Sequence, residues 1–285
     1  MVDEIFAPAD LLPSRIPNPR FVRAYLNWIG RIILRVARTI QGLGAFALIT
    51  IGVTITKFWK SAGVVHPIIS AQIHRSGVRL LPMISFLAFA LGLVVIGQTV
   101  FQLNRVGAGN YAGMVMVTVV VRELGPLVTA LIVLARVGTR IVIELSTSRA
   151  TGEVEALEAV GIDPIHYLVM PRVLGTAISI FALTVYLILM ALISGYLFVF
   201  IQDVPLRPGE YFSQLANSLG YPDFVLLALK TVSFGMVIAI VTCYQGLARP
   251  VRIDEVAEVT TNAVVQSIIA CVVLDALFII VYLIM

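Results

Sequence analysis

Charge is what this sequence has least of. Asp, Glu, Lys and Arg together make up 13% of 285 residues, about half the share found in soluble domains, and this excludes an ordinary water-soluble fold. Cysteine is equally sparse: Cys243 and Cys271 lie in apolar stretches without CxxC spacing, so neither a disulfide framework nor a zinc site is supported. The histidines His66, His74 and His166 fall at no metal-ligand spacing, which leaves an intramembrane metalloenzyme without ligands. No GxxxxGK[ST] sequence occurs, so the chain does not hydrolyse ATP by that route. The net charge of +4 is no nucleic-acid footprint; its placement matters more than its size. The first twenty residues carry Asp3, Glu4 and Asp10 with four prolines, not a basic segment followed by an apolar one, so no cleaved signal peptide is expected.

What is there is apolar surface: 59% of residues are hydrophobic and mean hydropathy is +0.99. Several runs exceed the roughly 18 residues that cross a bilayer. The chain reads as an all-α integral membrane protein. Residues 1–20 form an irregular cytosolic arm, because Pro13, Pro17 and Pro19 deny a helix its donors. Over residues 21–79 the pattern is interfacial. Phe21, Tyr25, Trp28, Ile32, Val36 and Ile40 recur at helical spacing, while Arg31, Arg35 and Arg38 gather on another face, as in a helix lying among headgroups. Residues 40–56 are uncharged and are either re-entrant or a thin span, with Gly42, Gly44 and Gly52 weakening the run as a rod.

Residues 80–285 make a five-span domain, with spans at about 80–103, 111–146, 173–202, 224–248 and 257–285. Residues 104–110 are a short loop and 203–223 a longer polar one. Ten Lys or Arg precede residue 80, whereas those two loops carry only Arg105 and Arg207, which predicts a cytoplasmic N-terminus and an outward C-terminus.

The few charges inside the spans then become comparable in depth. Arg122, Glu123, Lys230 and Asp275 each fall about 10–15 Å below the outer end of their helix at 1.5 Å per residue. An unpaired charge at the bilayer centre costs at least about 2.5–3.5 kcal/mol, so the four are expected to pair. Arg122 and Glu123 are neighbours pointing about 100° apart, so they reach different partners. The expected pairs are Arg122 with Asp275 and Glu123 with Lys230. Such a cluster either glues helices together or lines a polar break in an apolar pathway. Gly125 and Pro126 follow at once and predict a hinge or a fixed kink, since proline removes one backbone hydrogen bond.

Between the second and third spans, "STSRATGEVEALEAVGIDPIHYLVMPR" contains a short amphipathic helix over about 149–163, ended by Gly161 and Pro164. Glu153, Glu155 and Glu158 would be repelled by anionic lipid, so this helix is expected to dock on a cytosolic partner.

"RELGPLVTALIVLARVGTRIVIEL" running into "ATGEVEALEAVGIDPIHYLVMPRVL", with "KTVSFG", "CYQGL", "TTNAVVQS" and Asp275 downstream, resembles the MlaE family, permease subunits of ABC transporters associated with MCE proteins. The resemblance runs from about Arg31 to the C-terminus. It implies an amphipathic interfacial helix before five spans, a homodimer enclosing a lipid cavity, and no cofactor in this chain, with ATP and Mg on a partner ATPase. It implies a coupling helix at Arg149–Asp163, seated in a groove of that ATPase, with Glu153, Glu155 and Glu158 as contacts. It also implies membrane-embedded charges at Arg122, Glu123, Lys230 and Asp275, and lipid-tail contacts at Ile96, Val100 and Phe101. One departure is visible: family members usually have a glycine-rich turn where this chain reads "ARPVRIDEVAEV".

The implied function is movement of phospholipid between the bacterial inner membrane and an MCE-type periplasmic carrier, maintaining outer-membrane lipid asymmetry. The headgroup would sit near Arg122 or Lys230. Two other classes remain physically sensible. In a proton-coupled secondary transporter, Glu123 or Asp275 would relay protons. A non-transporting scaffold would only anchor partners.

Overall fold

Hydrocarbon offers backbone amides no water to bond, so an apolar run must satisfy its own hydrogen bonds, and it does so as helix. The computed structural model describes residues 40–54, 62–201, 208–248 and 252–284, and no strand occurs among them. The chain divides into two compact units, residues 1–45 and 46–285. The arm at 1–20 and the amphipathic helix at 21–39 lie outside the described residues.

Among the described residues, helix α1 (Ile40–Thr54) is a shorter apolar helix. Five helices among the described residues are long and apolar enough to cross a membrane: α2 (Pro67–Arg105), α3 (Ala112–Ala150), α5 (Ile165–Ile201), α7 (Tyr221–Leu247) and α8 (Ile253–Ile284). Two shorter helices interrupt the sequence, α4 (Glu153–Ala159) and α6 (Pro208–Ser218). At 39 residues, α2 and α3 are each about 58 Å long, so both overhang a hydrocarbon core of about 30 Å. The sequence pattern started the first span near residue 80; the helical path begins earlier, at Ala62, and tightens through a 3-10 turn at Val78–Leu80.

Helix α5 lies at the centre of the bundle, packed by α2 on one side and by α3 and α7 on the other, while α8 lies against α7 and α3. Close approach of α5 and α7 depends on Gly235, where a Cβ would collide with the backbone of Ala177. Without that glycine the helices cannot meet at this distance. The interior forms two apolar clusters. One is built around Ile84, Leu134, Ile141, Ile180, Phe234 and Ile238, and the other around Ile96, Val100, Met116, Val120, Ala191 and Tyr211. Some buried hydroxyls bond inside their own helices, as where Thr184 donates to Ile180 O at 2.8 Å and Thr242 to Ile238 O at 2.7 Å.

The stretch 203–223, expected as a loop, contains α6. The reason is amphipathic: Tyr211 and Leu215, one helical turn apart, are both buried in the second cluster. The Tyr211 hydroxyl donates to Leu192 O at 3.0 Å, and burial pushes its pKa above the ordinary phenol range.

Candidate functional site

Over Val117–Leu124 the backbone of α3 widens into a π-helical segment, which ends at Gly125 and Pro126. The Gly125 N–H bonds back to Val120 O, five residues behind. Pro126 has no N–H, so the carbonyl of Arg122 loses its usual donor four residues on. Lys230 supplies a replacement from α7: its Nζ donates to Arg122 O at 2.9 Å. The same ammonium donates to Glu123 Oε2 at 2.9 Å and forms an ion pair with Asp275 Oδ1 of α8 at 2.7 Å. Three helices therefore converge on one nitrogen, and the Lys230 side chain is 0% exposed.

The expected pairing of Glu123 with Lys230 is present. The expected pairing of Arg122 with Asp275 is not: Asp275 belongs to Lys230, and Arg122 Nε pairs instead with Asp223 Oδ1 at 2.9 Å. Asp223 sits in the first turn of α7, and its other carboxylate oxygen accepts from the Gly220 N–H at 2.9 Å, capping that helix. The reason for the exchange is angular. With Arg122 and Glu123 on different sides of α3, only Glu123 turns toward Lys230 and Asp275, while Arg122 turns toward the start of α7. The Tyr282 ring, 5.2 Å from the guanidinium carbon, covers the same arginine.

Two cations thus face three carboxylates, and their freedom differs. Lys230 donates to Arg122 O and Glu123, is ion-paired with Asp275, and is fully buried, so it is closed to a lipid headgroup. Arg122 and Glu123 each keep 31% of their side-chain surface exposed. Any anionic ligand at this level must therefore approach Arg122.

Ile96 and Val100 are enclosed in the second apolar cluster at 1% and 0% exposure. They pack between helices here, and a lipid tail could reach them only if that packing opened. Phe101 is partly exposed, with the Arg105 guanidinium 4.5 Å above its ring.

At the opposite end of α3, the short helix α4 covers Glu153–Ala159, flanked by Gly152 at φ 78° and Gly161 at φ 81°. Both glycines hold left-handed conformations that other residues adopt only at a cost, so the helix is set off by a sharp turn at each end. Val154 alone is buried, and Glu153, Glu155 and Glu158 are exposed. Arg149, in the last turn of α3, reaches over to Glu155 at 3.2 Å. Asp163 lies beyond α4, where its Oδ1 accepts from the Ile165 N–H at 3.0 Å and starts α5.

The model of the family described as Permease MlaE matches residues 69–281, which include the charge cluster and α4. The chain belongs to the MlaE permease family. Among curated relatives, a probable ABC transporter permease protein of Rickettsia typhi is 31% identical over 85% of this chain and 91% of its own length. The intermembrane phospholipid transport system permease protein MlaE of Haemophilus influenzae is 26% identical over 73% of this chain and 80% of its own. The chloroplastic protein trigalactosyldiacylglycerol 1 of Arabidopsis thaliana is 27% identical over 72% of this chain and 58% of its own.

As an MlaE-family ABC permease, the chain is a multi-pass membrane subunit working with a separate ATPase. One cluster member of this permease escaped the sequence reading. Asp223 falls in what reads as a polar loop, and its only signal is its place three residues after Gly220 at the head of an apolar run, the position of a capping carboxylate.

Proposed function

We propose that this chain is the transport subunit of an ABC system moving phospholipid between the bacterial inner membrane and an MCE-type periplasmic carrier, and so contributes to outer-membrane lipid asymmetry. It acts as a homodimer, with N-terminus cytoplasmic and C-terminus periplasmic. The observation that carries the reading is the fully buried Lys230, held by Glu123 of α3 and Asp275 of α8 inside an otherwise apolar bundle. A charge knot tying three spans together is a fixed pivot, about which ATP-driven pressure on α4 can rock the helices. Arg122, partly open beside the knot, is the cation for a lipid phosphate. The name of the Haemophilus influenzae relative supports phospholipid as cargo. The broad exposed apolar face of α8, including Val265, Ile269, Val272 and Ile280, supports contact with lipid or a second copy.

The test is co-purification from native membrane with lipid mass spectrometry, followed by a transfer assay on Glu123→Gln. An ATPase and phospholipid should accompany the chain, and the variant should lose transfer while keeping the ATPase. Normal transfer by Glu123→Gln would remove the knot from the mechanism. Transport by the chain without any ATPase would favour proton coupling instead.

A further inference from the structure

A second polar site lies at the other end of the bundle, about 33 Å along α3 from the knot, counting the rise from Arg122 to Glu144. There α2, α3 and α5 enclose a groove of about 360 Å³, lined by Gln72, Arg75, Glu144 and Arg172 with Ile68, Tyr167, Leu168 and Pro171 as its apolar wall. A smaller pocket shares Gln72, Arg75 and Glu144 with it and adds Arg136 and Arg140. Four arginines therefore surround one carboxylate. Glu144 is already engaged, accepting from Arg140 Nε at 2.7 Å and from Arg172 Nη2 at 3.3 Å. Arg75 and Arg136 form no ion pair among the described residues. The groove thus keeps a positive excess next to an apolar wall.

We propose that this groove, together with the smaller pocket adjoining it, binds the phosphodiester headgroup of an anionic phospholipid, with Arg75, which lines both, and Arg136, which lines the smaller, as the free cations. Three features select a lipid. The groove opens between three of the long helices, on the end of the bundle where basic residues gather. Its volume is in the range of small-ligand sites, about 300–1,000 Å³. Its Ile68, Leu168 and Pro171 wall gives the glycerol and first acyl carbons a surface that a soluble phosphate would not use, and Tyr167, 42% exposed, is the amphipathic residue type of a membrane interface. The salt-bridged Glu144 holds Arg140 and Arg172 in place and leaves Arg75 and Arg136 for the incoming phosphate. This site is separate from the transport pivot and does not depend on it.

Native mass spectrometry of the full-length chain in detergent tests the proposal, with short-chain phosphatidylglycerol and phosphatidylcholine as probes and glycerol phosphate as competitor. Phosphatidylglycerol should bind more tightly than phosphatidylcholine. Arg75→Ala should weaken it about fivefold and Arg75→Ala with Arg136→Ala roughly 30-fold, from about 1 kcal/mol per basic residue near a membrane surface. Arg75→Lys should retain binding, which separates lost charge from lost fold. Equal binding of the two lipids, or full phosphatidylglycerol affinity in the double variant, would overturn the proposal. So would displacement of lipid by equimolar glycerol phosphate, which makes the groove a soluble-phosphate site. Loss of the ATPase with lipid retained would make it a protein-docking surface and would overturn the proposal equally.

Discussion

The Lys230 ammonium donates to the main-chain carbonyl of Arg122 at 2.9 Å, the carbonyl that Pro126, four residues on, cannot serve. A side chain on one span thus completes the backbone of another, and the same nitrogen gathers Glu123 and Asp275.

Lys230→Met should destabilise the chain by about 3–5 kcal/mol, because Glu123 and Asp275 are left without their shared cation. Part of that loss depends on the proline. In a Pro126→Ala background residue 126 regains an amide that can serve Arg122 O, so Lys230→Met should cost about 1 kcal/mol less there. Thermal unfolding in detergent across the four-variant cycle checks this, and strict additivity would contradict the carbonyl argument.

Asp223 has two jobs, and two substitutions separate them. Asp223→Asn keeps an oxygen able to cap the Gly220 N–H while removing the charge opposite Arg122; Asp223→Ala removes both. The alanine variant should be less stable than the asparagine variant by about 1 kcal/mol, the ordinary worth of a helix cap. Equal stabilities would show that the cap contributes nothing.

Gly235 permits α7 to meet α5 at Ala177. Gly235→Ala should lower stability by about 1–3 kcal/mol through forced separation of the helices, and Gly235→Val by more. A thermal midpoint unchanged in both would mean that the contact is looser than the backbone indicates.

On α4, Glu158→Arg should reduce co-purification of the ATPase, since that exposed carboxylate has no ion-pair partner among the described residues to disturb inside the chain. Val154→Asp should reduce it further, because a charge at the buried seat displaces the whole helix. Retention of the ATPase by both variants would place the docking surface elsewhere.

Tyr211 links α6 to α5 through its hydroxyl, and burial keeps that phenol protonated above its ordinary range. The sign follows from proton linkage: above about pH 10 the unfolded phenol ionises and the folded one does not, so this group's contribution to stability falls as pH rises. Tyr211→Phe should cost about 1 kcal/mol near neutral pH, and the difference between the two proteins should narrow in alkali. A difference that stays constant to high pH would argue against burial as the cause.

Much of this protein was legible before any coordinates. Five apolar runs meet a solvent that tolerates helix and little else, so the spans, the Glu123–Lys230 pair and a short helix carrying Glu153, Glu155 and Glu158 follow from spacing and composition, though that helix is shorter than the 149–163 expected. A charge stranded in hydrocarbon must find an opposite one at its own depth, and depth is a property of sequence position. Azimuth is not. Whether Arg122 turned to Asp275 or to Asp223, whether Ile96 and Val100 faced lipid or neighbouring helices, and whether residues 208–218 folded onto Leu192 depended on how the helices are rotated against each other. Contacts among residues far apart in the chain set that rotation, such as Gly235 against Ala177 and Lys230 across three helices. Tertiary packing alone decided it, because one sequence fixes the rise of each residue along its helix but leaves the direction each face looks to its neighbours.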